Sequence, residues 1–219
     1  MSVKDLETRE RLLSAASRLF AERGFAKVTV RDICRRARAN VAAVNYHFHG
    51  KTGLYEEVLR SAIRTMRGTT EAAQRAGTDR PPAEQLEAFI AIFLQKVVEG
   101  RSSWIHGLMM HELSDPTPAL DLVVDDVLRP RMAYLSGIIA SLIGCAEDDP
   151  RVGRCLMSVQ AQIHALLVKN PIADRLVPDR RPVTADGVSA LAHHITRFSL
   201  AGIQAMAETR RPSRSLVRG

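Results

Sequence analysis

Apolar positions recur along this chain at intervals of three and four. No stretch alternates apolar and polar residues between hairpin turns. The pattern predicts an all-α fold. A first helix spans Thr8 to Arg23, with Thr8 as its cap and Gly24 as its stop. Leu12, Leu13, Ala16, Leu19 and Phe20 form its apolar face. Thr29 opens a second short helix: its hydroxyl can accept a backbone N–H, and Asp32 suits the positive helix end. Ile33 and Ala37 face inward. Asn40 caps a third helix in "NVAAVNYHFHGK", where Val41, Val44 and Phe48 make the inward stripe. A fourth starts near Thr52 and carries Leu54, Tyr55, Val58, Leu59, Ala62 and Met66.

The stretch "GTTEAAQRAGTDRPPAEQ" (68–85) holds two glycines and paired prolines, and reads as a helix end followed by an interdomain loop. Longer helices follow over 84–99, 103–113, 118–143, 149–169 and 185–208, with a short turn at 171–177. Pro130 predicts a kink in the third of these. The division expected is 1–50, 51–70 as a linking helix, and 71–219.

Charge changes this picture. The net charge of +7 is not spread evenly: residues 1–70 hold 14 of the 31 Lys and Arg but only 7 of the 24 Asp and Glu. The remainder is balanced. Basic bias confined to one segment points to a polyanion partner for it, against the alternative of a solvated basic surface. No stretch is apolar enough for a membrane span, and the charged first residues do not read as an export signal. Three cysteines, Cys34, Cys145 and Cys155, lack metal-like spacing and fit a reducing cytoplasm.

Two short helices about a tight connection, the second with short polar side chains, form a helix-turn-helix pattern. A reading helix must approach base edges closely. Ala42 and Ala43 permit that and offer methyls to thymine; Asn45 suits adenine. Tyr46 and His47 are donors for phosphate. Lys51 at a helix N-terminus opposes the macrodipole unless a phosphate sits there. The alternatives are a core aromatic for Tyr46 and a solvated loop lysine for Lys51.

Thr8 to Leu59 resembles the DNA-binding domain of the TetR family. The features that carry the likeness are Phe20, Gly24-Phe25, Thr29-Val30-x-Asp32-Ile33, Ala37, Tyr46-His47-Phe48, Lys51 and Leu54-Tyr55. The resemblance implies an N-terminal three-helix helix-turn-helix domain, a linking helix, and a C-terminal helical ligand-binding and dimerisation domain. It implies a homodimeric repressor, in the cytoplasm, released from a palindromic double-stranded DNA operator by a small-molecule effector. The DNA-contacting set expected is Thr29, Arg31, Arg38, Asn40, Ala42, Ala43, Asn45, Tyr46, His47 and Lys51. Two departures stand out. Arg38 occupies the turn position where the family usually has glycine, and His49-Gly50 replaces a more usual Gly-Ser.

Residues 109–144 and 158–171 resemble the CecR-like branch. Within that resemblance, pocket walls are expected from Phe89, Phe93, Trp104, Met109, Met110, His111, Met132, Leu135 and His164, against the alternative that they simply pack a core. The dimer surface expected is Leu156, Val159, Ile163, Leu166 and Leu167 facing Leu191, Ile195, Phe198, Ile203 and Met206, against burial within one chain. No cofactor or metal site is called for, and no nucleophile–base arrangement of an enzyme stands out. His106 and His111, joined by Glu112 or His164, or else the pair His193-His194, are the metal alternative. Cys145 and Cys155 are the redox one. A constitutive DNA-binding dimer is the closest competing reading.

Overall fold

The computed structural model describes residues 3–98, 103–117, 119–167, 175–176 and 185–209. Among them there is no strand. The helices are α1 (Val3–Lys27), α2 (Val30–Ala37), α3 (Val41–Phe48), α4 (Lys51–Gly77), α5 (Pro82–Val98), α6 (Ser103–Ser114), α7 (Ala119–Val123), α8 (Arg129–Ile143), α9 (Pro150–Leu167) and α10 (Val188–Glu208). The turn expected at 171–177 lies, except for residues 175–176, outside the described residues. No helix among the described residues is long and apolar enough to cross a membrane.

Three boundaries differ from the sequence expectation, each for a local reason. First, Thr8 does not cap α1. The helix already runs from Val3, and the Thr8 hydroxyl donates to the Lys4 carbonyl at 2.9 Å. Gly24 does break α1: its φ of 77° and ψ of 166° are non-helical, a conformation open to glycine. Second, α4 continues through the stretch read as a loop and ends only at Gly77. Thr69 and Thr70 are buried, their hydroxyls donating to the Thr65 and Met66 carbonyls, and Ala73 enters a core. Burial of one face outweighs the weak helix propensity of Gly68 and two threonines. Third, the expected kink at Pro130 is a π-helical segment, Val124–Leu128, in which the Arg129 N–H donates to the Val124 carbonyl. Proline has no N–H, and its ring crowds the carbonyl four residues back, so the backbone widens just before it.

The chain packs as two compact units, Met1–Glu71 with Glu99–Pro130, and Ala72–Val98 with Arg131–Gly219. This packing cuts the chain differently from the segments expected, because α6 and α7 join the N-terminal helices.

In the first unit, Leu12, Ala16 and Phe20 of α1, Ile33 of α2, Val44 of α3 and Leu54 and Val58 of α4 are fully buried together. Phe20 stands edge-on to Tyr55, with ring centroids 4.9 Å apart. Helix α6 crosses α1 so closely at Gly107 that a Cβ there would lie 2.7 Å from the Ala21 carbonyl oxygen. Tyr55 and Glu112 join α4 to α6. The Tyr55 hydroxyl donates to the buried Glu112 carboxylate, which also accepts from the Thr117 N–H (3.2 Å) and hydroxyl (2.9 Å). Burial, then this bond, pushes the Tyr55 phenol well above its usual range.

In the second unit, α5, α8, α9 and α10 share a core that includes Leu86, Phe89, Ile90, Leu94, Leu135 and Ile139. Arg151 ties its far end together, pairing with Asp149 at 2.9 Å and donating to the Met206 and Thr209 carbonyls. The expected dimer stripe is corrected here. Leu156, Val159, Ile163, Ile195 and Ile203 are buried in this chain's own core, and Leu191 packs against it. Leu166 and Leu167 lie beyond the described side chains. Among the described side chains of that set, Phe198 (66% exposed) and Met206 (37%) face outward.

Candidate nucleic-acid interface

The α2–α3 region is built by caps. Thr29 and Asp32 form a closed capping box: the Asp32 N–H donates to the Thr29 hydroxyl oxygen at 3.2 Å, and the Thr29 N–H returns a bond to Asp32 at 3.2 Å. The Thr29 hydroxyl also donates to Asp32 at 2.6 Å. These two bonds from Thr29 hold the Asp32 carboxyl below its usual range. The Thr29 hydroxyl is therefore committed to the cap, and Arg31, exposed beside it, is the cation at this helix start. Asn40 caps α3, its side-chain oxygen accepting from the Ala42 N–H at 2.9 Å.

Both expected departures take left-handed backbone. Arg38 closes α2 at φ 51° and ψ 49°, its N–H reaching the Arg35 carbonyl. The turn where the resemblance leads one to expect glycine thus keeps a left-handed residue, and arginine bears about 1–2 kcal/mol of strain there. His49 closes α3 in the same way at φ 57°, and Gly50 follows at φ 110°. Together they reverse the chain into Lys51, the first residue of α4.

Val44 and Phe48 anchor α3 in the core, while Ala42, Asn45 and Tyr46 are exposed. Tyr46 is 70% exposed and stands edge-on to the His47 ring at 4.8 Å, so it is no core aromatic. Two expectations shift. Val41 is 43% exposed and joins the outward face, and Ala43 is half-buried against the core. As the first residue of α3, Val41 sits where the helix leaves the core, which its apolar character alone did not signal. The Lys51 ammonium lies 4.3 Å from the centroid of the Phe25 ring, and the Arg9 guanidinium 5.3 Å from that of Phe48. Aromatic faces thus hold both cations in place. Nearby, Glu57 gathers Arg9, Arg60 and Arg64. Burial opposes its ionisation, but the Arg60 bond and the Arg9 and Arg64 charges outweigh that and hold its carboxyl low.

A short apolar–polar face on a capped eight-residue helix, flanked by anchored cations, is what a major-groove reader presents. Residues 12–58 match the family model described as bacterial regulatory proteins, tetR family. Residues 82–203, more than half of the chain, match the C-terminal domain of the HTH-type transcriptional dual regulator CecR. The chain belongs to the TetR family. It is a DNA-binding transcriptional regulator. The CecR protein of Shigella flexneri is 26% identical over 161 residues, covering 69% of this chain and 72% of that one. The HTH-type transcriptional repressor KstR2 of Mycolicibacterium smegmatis is 36% identical over 86 residues, 39% of this chain and 41% of that one. In fold, the ketosteroid transcriptional regulator KstR2 of Mycobacterium tuberculosis superposes with a TM-score of 0.65 at 18% identity, covering 89% of this chain and 93% of that one.

The pocket residues expected from the TetR likeness divide between the two units. Trp104 and Met109 pack on the first unit's core, and Met110 is 42% exposed. The His111 ring lies against the α1 break, where a Cβ on Gly24 would be 3.1 Å from its Nδ1. That contact gives His111 a packing role between α6 and α1. In the second unit Phe89 and Leu135 are fully buried, Phe93 and Met132 lean on the same core, and His164 is exposed on α9. Sequence reasoning missed Arg131 and Tyr134. Arg131 is buried, its guanidinium 5.2 Å from the Phe93 ring centroid, and burial lowers it to about 10. The Tyr134 hydroxyl is buried without a hydrogen-bond partner among the described residues. The spacing of 131 and 134 on one face of α8 was the available signal.

The metal alternative loses its main carboxylate, since Glu112 is engaged by Tyr55 and Thr117, while His193 lies 3.3 Å from Glu87. No group of three His, Cys, Asp or Glu suited to a metal occurs among the described residues. Cys34 and Cys155 are buried thiols, which burial pushes up.

Proposed function

We propose that this regulator acts in the cytoplasm as a homodimeric repressor, that α3 reads base edges of a palindromic operator, and that a small-molecule effector releases it. The exposed face of Val41, Ala42, Asn45 and Tyr46, held by buried Val44 and Phe48, carries the reading. Arg31, Arg38, His47 and Lys51 supply backbone contacts around it, and Thr29 and Asn40 act by fixing the helix starts.

The outer faces of α9 and α10 support self-association. Gly153, Met157 and Ala161 line one, and Phe198, Ala201, Gly202 and Ala205 the other; all are exposed, and Met157 is 67% so. Small residues let helices of two copies approach closely, with Met157 and Phe198 as large apolar anchors. This face is rotated roughly 100° from the stripe read in the sequence, one residue's turn. The second unit, with buried Phe89 and Arg131 and half-buried Phe93 and Tyr134, is where an effector acts. The effector releases DNA by binding the DNA-incompetent arrangement more tightly.

Gel-shift titration against the DNA upstream of this protein's own gene tests the proposal. A complex that forms at low salt and carries two protomers per site supports it. Absence of any complex would overturn the operator reading, and a complex insensitive to every effector screened would favour a constitutive binder.

A further inference from the structure

A second cationic feature lies between α1 and the end of α2. A groove of about 320 Å³ is lined by Arg11, Ser14, Ala15 and Arg18 of α1 together with Arg36 and Arg38. Arg11, Ser14 and Arg18 sit at i, i+3 and i+7 and share one side of α1. Ser14 and Ala15 are short, which leaves the floor open between arginines. Glu22 partly offsets Arg36, at 3.6 Å, and Arg11 donates to the Thr8 hydroxyl at 3.3 Å. The guanidiniums of Arg18 and Arg38 have no hydrogen bond or ion pair among the described residues. Arg38 is also held in left-handed backbone, where glycine would sit without strain.

We infer that this groove seats a run of DNA sugar-phosphate backbone flanking the segment read by α3, an inference that rests on the DNA reading above. Four like charges around one groove create a positive potential that an anion relieves. Arg38 precedes the α3 cap, Asn40, by two residues, so the groove opens at the N-terminal end of the reading helix. Arg11 and Arg18 are about 10 Å apart along the helix axis. Because one strand also winds around the DNA axis, its neighbouring phosphates lie farther apart than their ~3.4 Å axial rise, and the span suits about two of them. The groove lacks the aromatic and large apolar lining of a small-molecule pocket. Such contacts add affinity and footprint without sequence preference.

The test uses the full-length protein and a fluorescent random-sequence duplex, titrated by anisotropy at a series of NaCl concentrations. The Arg11→Ala/Arg18→Ala double variant and Arg38→Gly should each flatten the log K against log[salt] slope. The expected change is about 0.9 for each phosphate no longer neutralised, with equal weakening on any sequence. The double variant should keep its thermal midpoint. A wild-type slope in the Arg11→Ala/Arg18→Ala variant, with Lys51→Ala still reducing it, would overturn the groove assignment and leave the DNA reading standing. Binding of inorganic pyrophosphate at micromolar concentration, with the DNA slope unchanged by the groove variants, would also overturn it. Failure of the wild type to bind any duplex, its own upstream region included, would remove the DNA reading beneath.

Discussion

The two compact units hold their helices by different means. In the first, α2 and α3 have eight residues each, too few to persist alone. They are set by local chemistry at their ends: the side-chain caps of the Thr29–Asp32 box and Asn40, and the left-handed backbone caps at Arg38 and His49. In the second, α9 and α10 have 18 and 21 residues and are held by apolar burial along one side. Gly187 begins α10 with no side-chain cap. The difference teaches where local chemistry is needed. A reading helix must present one chosen face at one angle, whereas a long two-sided helix keeps its orientation through area.

The largest expected effect separates buried from outward aromatics. Phe20→Ala removes a fully buried ring from the first core and should cost about 3–5 kcal/mol in urea unfolding. Phe198→Ala should shift the intrinsic stability of the monomer by less than about 0.5 kcal/mol yet weaken self-association at least about tenfold by sedimentation. A core-sized loss in monomer stability from Phe198→Ala would collapse the distinction between inner and outer faces of α10.

Next comes the link between α4 and α6. Tyr55→Phe removes one donor from the buried Glu112 carboxylate and should cost about 1.5–3 kcal/mol. An unchanged unfolding midpoint would mean that Thr117 alone satisfies Glu112.

Caps are smaller again. Thr29→Ala should cost about 1 kcal/mol. Because the Asp32 pKa is lowered in the folded chain, its contribution is full above the unfolded value of 3.8 and is lost as pH falls through the folded one. Asp32→Asn should therefore flatten that acid limb in a pH series of thermal melts, and an unaltered limb would count against the box. Smallest is Arg38→Gly, expected to raise stability by about 0.5–1 kcal/mol as relief of left-handed strain exceeds the entropy cost of glycine. A loss instead would show that the arginine side chain holds the turn.

The helical class, the α2 and α3 starts and the break at Gly24 were legible because each depends on residues within one turn. The length of α4 was not, since burial of Thr69, Thr70 and Ala73 is decided by the distant chain that covers them. On α9 and α10 both faces carry apolar or small residues, so periodicity alone does not say which turns inward. Leu156 and Ile163 went to the core, and Met157 and Ala161 stayed outside. In and beside the reading face, Asn45 and Tyr46 of α3 and Lys51 at the start of α4 were visible as types out of place on an ordinary helix. Val41 was not, because an exposed valine looks like any core valine until the helix axis is known.

The most direct measurement is the affinity of an Asn45→Ala/Tyr46→Ala variant for the duplex upstream of the gene, by anisotropy at fixed salt, beside its helicity and thermal midpoint. Both side chains are exposed, so helicity should hold and the midpoint should move little, while affinity falls at least about tenfold and preference over random duplex narrows. Wild-type affinity and preference in a folded variant would contradict α3 as the reading helix.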